Sequence, residues 1–171
     1  MIVYVSNKKM IYSVFKGFND VEEKLIDVFM PGPFTIILEK SRIVSGVASC
    51  KMNTIGVRMP SNKIINAVIN NLWIPILGPS ANISGRLSGT NVSDIIDEFN
   101  GRVDFIVDGG DYCDIGIEST VVKVVDEILI ILRPGYITED DIRNVVGNVK
   151  LSDNFLKNWR WSNSWKSWYK I

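Results

Sequence analysis

The run Gly78-Pro79-Ser80-Ala81-Asn82-Ile83-Ser84-Gly85 gathers small and hydroxylated residues directly after the apolar stretch Ile74-Pro75-Ile76-Leu77. Ser80, Asn82 and Ser84 can hydrogen-bond an anionic or carbonyl-rich ligand, and the flanking glycines admit close backbone approaches that a side chain forbids. The same residue types make ordinary turns, so composition leaves a ligand loop and a structural turn both open. Arg58 stands between Val57 and Met59 in an apolar run. A guanidinium there needs an anion, either a carboxylate of this chain such as Glu118 or Asp108, or that of a ligand. Arg133 follows the apolar stretch Ile128 to Leu132 and precedes Pro134-Gly135, a context equally open to a solvated strand-end charge and to a ligand contact. Ser119-Thr120 opens a branched run whose strand propensity alone accounts for it.

Histidine is missing from all 171 residues, which excludes a Ser-His-Asp triad, a histidine metal site and an imidazole base within this chain. What is left for chemistry is lysine, arginine, carboxylates, hydroxyls and backbone amides. That set suits the positioning and stabilising of phosphate better than nucleophilic hydrolysis, and favours nucleotide chemistry over proteolysis.

The 19 basic and 19 acidic residues cancel, which argues against coating nucleic acid through an overall field. From Leu151 to Ile171, however, Lys157, Arg160, Lys166 and Lys170 face only Asp153, a net +3 that leaves −3 for the rest. The same segment holds Trp159, Trp161, Trp165 and Trp168, four of the five tryptophans. Interleaved aromatic and basic residues suit base stacking or a membrane interface, and a docking segment or a terminus foreign to the fold is the plainer account. Cys50 and Cys113 have the spacing of neither a disulfide framework nor a metal knuckle, so buried or incidental thiols are expected. No apolar run approaches the roughly 20 residues that cross a bilayer. The first residues lack a basic segment ahead of an apolar core, so a cytoplasmic protein without membrane partners is expected.

The elements that must position these residues alternate between strands and helices, as one α/β domain requires. Strands are expected at Ile2 to Val5, Phe34 to Leu38, Thr54 to Met59, Ile74 to Leu77 and Val103 to Val107. A hairpin is expected from Ser119 to Val125 and Ile128 to Leu132 around Asp126-Glu127. Helices are expected from Asn7 to Phe15, after a cap at Asn19 or Asp20, after Ser61, over Asp94 to Phe99 after Ser93, and after Thr138, which forms a capping box with Asp141. Arg58, Ser80, Asn82, Ser119 and Arg133 then fall where segments leave a sheet, the usual place for ligands in open α/β folds.

Six motifs, in this order and approximate spacing, resemble the YrdC family of threonylcarbamoyl-AMP synthases: Pro31-Gly32-Pro33-Phe34-Thr35, Gly56-Val57-Arg58-Met59-Pro60, Pro79 to Gly85, Asp108-Gly109-Gly110, Gly116 to Val122 and Leu132-Arg133-Pro134-Gly135. Together they are far more specific than any one alone. The resemblance covers about Met1 to Gly147 and implies a twisted mixed β-sheet with flanking helices and an open cleft on one face, followed by a Trp-rich basic tail over 148–171. It implies an enzyme that joins L-threonine, bicarbonate and ATP into threonylcarbamoyl-adenylate for modification of tRNA, releasing pyrophosphate, with Mg2+ accompanying ATP. It further implies that Arg58 pairs with the threonine carboxylate, that Ser80 and Ser119 contact substrate, and that Asn82, Ser88, Thr90 and Arg133 contact the nucleotide. No residue is implied as a catalytic acid or base, and none as a metal ligand.

Family members also place a Glu-Thr-Val-Tyr-Gly-like motif and a Lys-x-Arg motif ahead of the position of Met1, and Tyr4 stands where a substrate-contacting histidine usually does. The resemblance therefore implies a shortened member with an exposed apolar edge. Three functions stay open: a synthase completed by an N-terminal partner chain, a nucleotide- or RNA-binding remnant without catalysis, and a carbamoyl-transfer domain related to hydrogenase maturation.

Overall fold

The computed structural model describes residues 1–83, 89, 92–110 and 116–152. Seven strands form one mixed sheet: β1 (Ile2–Tyr4), β2 (Phe34–Glu39), β3 (Thr54–Arg58), β4 (Ile76–Gly78), β5 (Thr120–Val125), β6 (Ile128–Arg133) and β7 (Val149–Leu151), in the order β4-β1-β3-β2-β5-β6-β7. The helices are α1 (Lys8–Val14), α2 (Asp20–Phe29), α3 (Lys63–Leu72), α4 (Val92–Phe99) and α5 (Glu139–Val146). β1 pairs with β3, β2 with β5 and β6 with β7 in parallel, and the remaining neighbours are antiparallel.

Alternation decides the two faces of the sheet. Val3 of β1, Phe34, Ile36 and Leu38 of β2, Ile55 and Val57 of β3, Val122 of β5, and Leu129 and Ile131 of β6 point to one side and are buried. There they pack with Ile11 and Val14 of α1, Leu25 and Ile26 of α2, and Ile142 of α5 in one continuous core. Lys8 ties α1 to α2 through Glu23 and Asp27, at 2.9 and 2.6 Å. The opposite side carries Tyr4, Thr35, Gly56 and Arg58, none of which belongs to that core.

Local chemistry sets the helix ends. Asn19 caps α2 in a reciprocal box: its side chain accepts from Glu22 N at 2.9 Å, and its own N–H donates to the Glu22 carboxylate at 2.9 Å. Thr138 and Asp141 close the expected box on α5. The cap of α3 is Asn62 rather than Ser61, because its carboxamide oxygen reaches both Ile64 N and Ile65 N, at 3.0 and 3.1 Å. Asn19→Ala is expected to lower stability by about 1 kcal/mol, measured as a shift of the urea midpoint at constant slope.

Two elements depart from the sequence expectation. The stretch 103–107 is not a strand: Val103, Phe105 and Val107 are exposed and pair with no sheet edge. Its branched residues carry strand propensity, but propensity without a partner strand leaves the backbone unpaired. β7 was not anticipated; it adds in parallel to β6 through Leu129↔Val149 and Ile131↔Leu151. Ser88, Thr90, Cys113 and the tryptophans of the tail, named above from the sequence, lie outside the described residues. Cys50 is exposed.

Candidate functional site

The site is built on the sheet face opposite the helical core. β5 and β6 pair as Val122↔Ile131, and the next pair is Val121↔Arg133, so Leu132 is the extra residue of a β-bulge. Without the bulge, strict alternation would send Arg133 to the core side, the side of Leu129 and Ile131. With it, Arg133 shares the face of Val121 and comes near Arg58, whose charge it repels.

Arg58 ends β3 beside Tyr4, its register partner on β1. Its Nε donates to Gly32 O at 3.2 Å, and Gly32 N in turn donates to Met59 O at 2.8 Å. The guanidinium is half-buried, and burial pulls its pKa below the ordinary arginine value; the neighbouring Tyr4 acts against this, and the charge of Arg133 adds to it. Neither Glu118 nor Asp108, the two carboxylates named as alternatives to a ligand, serves it. Glu118 pairs with Arg133, and the Asp108 carboxylate accepts from Gly110 N at 2.8 Å. Among the described residues Arg58 has no ion pair at all. A desolvated guanidinium with free donors is an anion receptor by its chemistry.

Arg133 is wired into the start of β5. Nε and Nη2 donate to Ser119 O at 3.3 and 2.9 Å, Nη2 also donates to Ser119 Oγ at 3.1 Å, and Nη1 meets Glu118 Oε2 at 2.8 Å. Ser119 Oγ lies 2.9 Å from Thr35 Oγ1, and both residues are buried. Ser119 is therefore more than a residue of good strand propensity, since the Arg133 guanidinium and the Thr35 hydroxyl fix its carbonyl and hydroxyl. Thr35 is a site residue to which the sequence motifs assign no role; its place on the cleft side of β2 is a signal that alternation from buried Phe34 and Ile36 already contains.

Arg58, Ser119 and Arg133 are thus brought together, with Thr35, Tyr4 and Glu118 around them. Ser80 and Asn82 follow β4, which lies on the other side of β1 from β3. β4 runs antiparallel to β1, with Gly78 opposite Ile2, so its loop leaves the sheet at the end away from Arg58. Ser80 is exposed, its carbonyl accepts from Asn82 N at 3.0 Å, and the Asn82 amide donates to Ile83 O at 3.1 Å. Tyr4 spans the interval. Its ring lies so close over Gly78 that a Cβ there would stand 2.5 Å from Cε2, and on the other side it is the register neighbour of Arg58. Among the described residues no group of three Asp, Glu, His or Cys side chains can hold a metal ion, and no helix is long and apolar enough to cross a membrane.

Residues 1–135 match the model of the Sua5/YciO/YrdC family, described as telomere recombination. The chain belongs to that family. It is 34% identical over 151 residues to the threonylcarbamoyl-AMP synthase of Pyrococcus abyssi, which covers 88% of this chain and 44% of that protein. It is likewise 34% identical over 150 residues to the Bacillus subtilis threonylcarbamoyl-AMP synthase, covering 87% of this chain and 43% of the relative. The chain therefore spans less than half the length of these two relatives. Among solved structures, P. abyssi Sua5 complexed with L-threonine superposes with a TM-score of 0.84 over 88% of this chain and 44% of that one, at 34% identity. Full-length HypF, at 15% identity, a TM-score of 0.63 and coverage of 78% of this chain and 21% of that one, shares the fold alone.

Proposed function

We propose that this chain binds L-threonine and ATP on its open sheet face and serves the synthesis of threonylcarbamoyl-adenylate from threonine, bicarbonate and ATP, for threonylcarbamoyladenosine modification of tRNA in the cytoplasm. The observation that carries the reading is Arg58, a half-buried guanidinium without an ion pair among the described residues, set beside a second arginine and a buried hydroxyl pair. A carboxylate fits it as a bidentate ligand. The names of the Pyrococcus and Bacillus relatives, and the threonine in the Sua5 complex, support the choice of substrate.

The reaction would join the carbamate oxygen of N-carboxythreonine to the α-phosphorus of ATP and expel pyrophosphate. Positioning and charge stabilisation suffice for such a displacement, which fits a chain without histidine. Mg2+ enters with ATP as part of the substrate. Arg58 would hold the amino-acid carboxylate, Ser119 would present its hydroxyl to threonine, and Arg133, Asn82, Ser88 and Thr90 would serve the nucleotide, with Ser80 on the substrate side. A separate chain is a partner this reading admits, and the exposed Leu72, Trp73, Ile74 and Leu77 are an apolar stretch it would cover.

Calorimetry with threonine and with ATP-Mg2+ tests the binding, and pyrophosphate release in the presence of bicarbonate tests the chemistry. Threonine-dependent binding is the expected result; failure of the folded chain to bind either ligand would overturn the reading. Binding without pyrophosphate release would instead make this chain a nucleotide-binding partner of a catalytic assembly.

A further inference from the structure

Glu118 combines a fixed backbone with an exposed side chain. Its carbonyl accepts from Tyr136 N at 3.1 Å and packs against Gly135, yet its side chain is 53% exposed where it meets Arg133. Two of the three nitrogens of Arg133, Nε and Nη2, are committed to Ser119. Nη1 is the nitrogen not bonded to Ser119, and the carboxylate it holds is the more exposed side chain of the pair.

The geometry points to Glu118 as a resident counter-ion, which neutralises the outer edge of Arg133 while the cleft lacks a ligand and is displaced from it by a phosphate oxygen. This deepens the reading given above and rests on it. A tethered carboxylate acts at high effective concentration, so a ligand of single charge exchanges one carboxylate for another and gains little. A di- or triphosphate presents several charged oxygens to the same fork and outcompetes it. Glu118 would thereby set the preference of this end of the cleft for polyphosphate and leave the amino-acid carboxylate to Arg58.

The test titrates inorganic pyrophosphate and, separately, L-threonine into the full chain, as wild type, Glu118→Gln, Arg133→Met and the double variant. The glutamine keeps the shape of the side chain and removes its charge. An exposed ion pair of this kind is worth little, so Glu118→Gln should bind pyrophosphate roughly two- to five-fold more tightly, with threonine affinity unchanged. In the Arg133→Met background the same substitution should change nothing.

Weaker or unaltered pyrophosphate binding by Glu118→Gln would mean that Glu118 merely props Arg133, and overturns the proposal. Equal tightening with and without Arg133 also overturns it, because the effect would then be the general field of a lost negative charge. If threonine binds while these outcomes fail, only the counter-ion role falls. If the wild type binds neither probe, the proposed function falls with it.

Discussion

Arg58→Ala is expected to weaken threonine binding by more than about a hundred-fold while leaving the fold nearly as stable as before. The two effects separate because the guanidinium works against the free protein. Burial and the charge of Arg133 both disfavour its charged form, and among the described residues no carboxylate compensates it. Removing it relieves that penalty and loses one hydrogen bond to Gly32 O, of about 1 kcal/mol, so the two changes nearly offset. A bound carboxylate would take two charge-assisted hydrogen bonds, each worth roughly 1.5 to 3 kcal/mol, and a hundred-fold in affinity is about 2.7 kcal/mol. Arg58→Lys keeps the charge without the planar fork and should fall between the two, about ten-fold weaker than wild type. Calorimetry and urea unfolding on the same samples decide it. Threonine affinity unaffected by Arg58→Ala would remove the observation on which the proposed function stands.

Much of this arrangement was legible in the sequence because it depends on local patterns. The apolar runs around Ile36, Val57, Val122 and Ile131 became strands, and the polar oxygens of Asn19 and Thr138 became caps, since each choice is fixed within a few residues. The failures have non-local causes. Ser61 and Asn62 are both competent caps, and only the backbone geometry at 62, which aims its carboxamide at two amides, chooses between them. Val103 to Val107 looks like a strand in isolation but has no partner in the sheet.

The site shows the same division. The types of Arg58, Ser119 and Arg133 were informative, and the motif order pointed to a common family. Their shared face was not derivable, because it depends on one extra residue at Leu132 that reverses the alternation of β6. The pairing of Glu118 with Arg133 rather than Arg58 follows from that same slip, which carries Arg133 to the start of β5. The direction of β4 likewise decides at which end of the sheet Ser80 and Asn82 emerge, and no window of sequence encodes whether a strand joins its neighbour parallel or antiparallel.

Gly135→Ala should be the most damaging small substitution at the site, lowering stability by about 3 kcal/mol or more and abolishing ligand binding with it. A Cβ on residue 135 would stand 2.3 Å from Glu118 O and 2.6 Å from both Ser119 C and Thr120 N. All three are backbone atoms, so no rotamer change relieves the clash, and the cost belongs at the upper end of overpacking. The strand start cannot simply slide away. Thr120 N donates to Pro33 O at 3.0 Å on one side, Tyr136 N donates to Glu118 O at 3.1 Å on the other, and the Thr120 hydroxyl holds Ile137 O at 2.6 Å. Whatever movement admits the methyl must stretch one of these links and carry Ser119 away from Thr35 and Arg133. Gly46→Ala is the matched control, since a Cβ there meets nothing within 4 Å. Urea midpoints and threonine titrations should separate the two variants cleanly. A Gly135→Ala chain as stable as the control would show that the contact between the Arg133-Pro134-Gly135 turn and the start of β5 is looser than described, and with it the fixation of Ser119 on which the cleft depends.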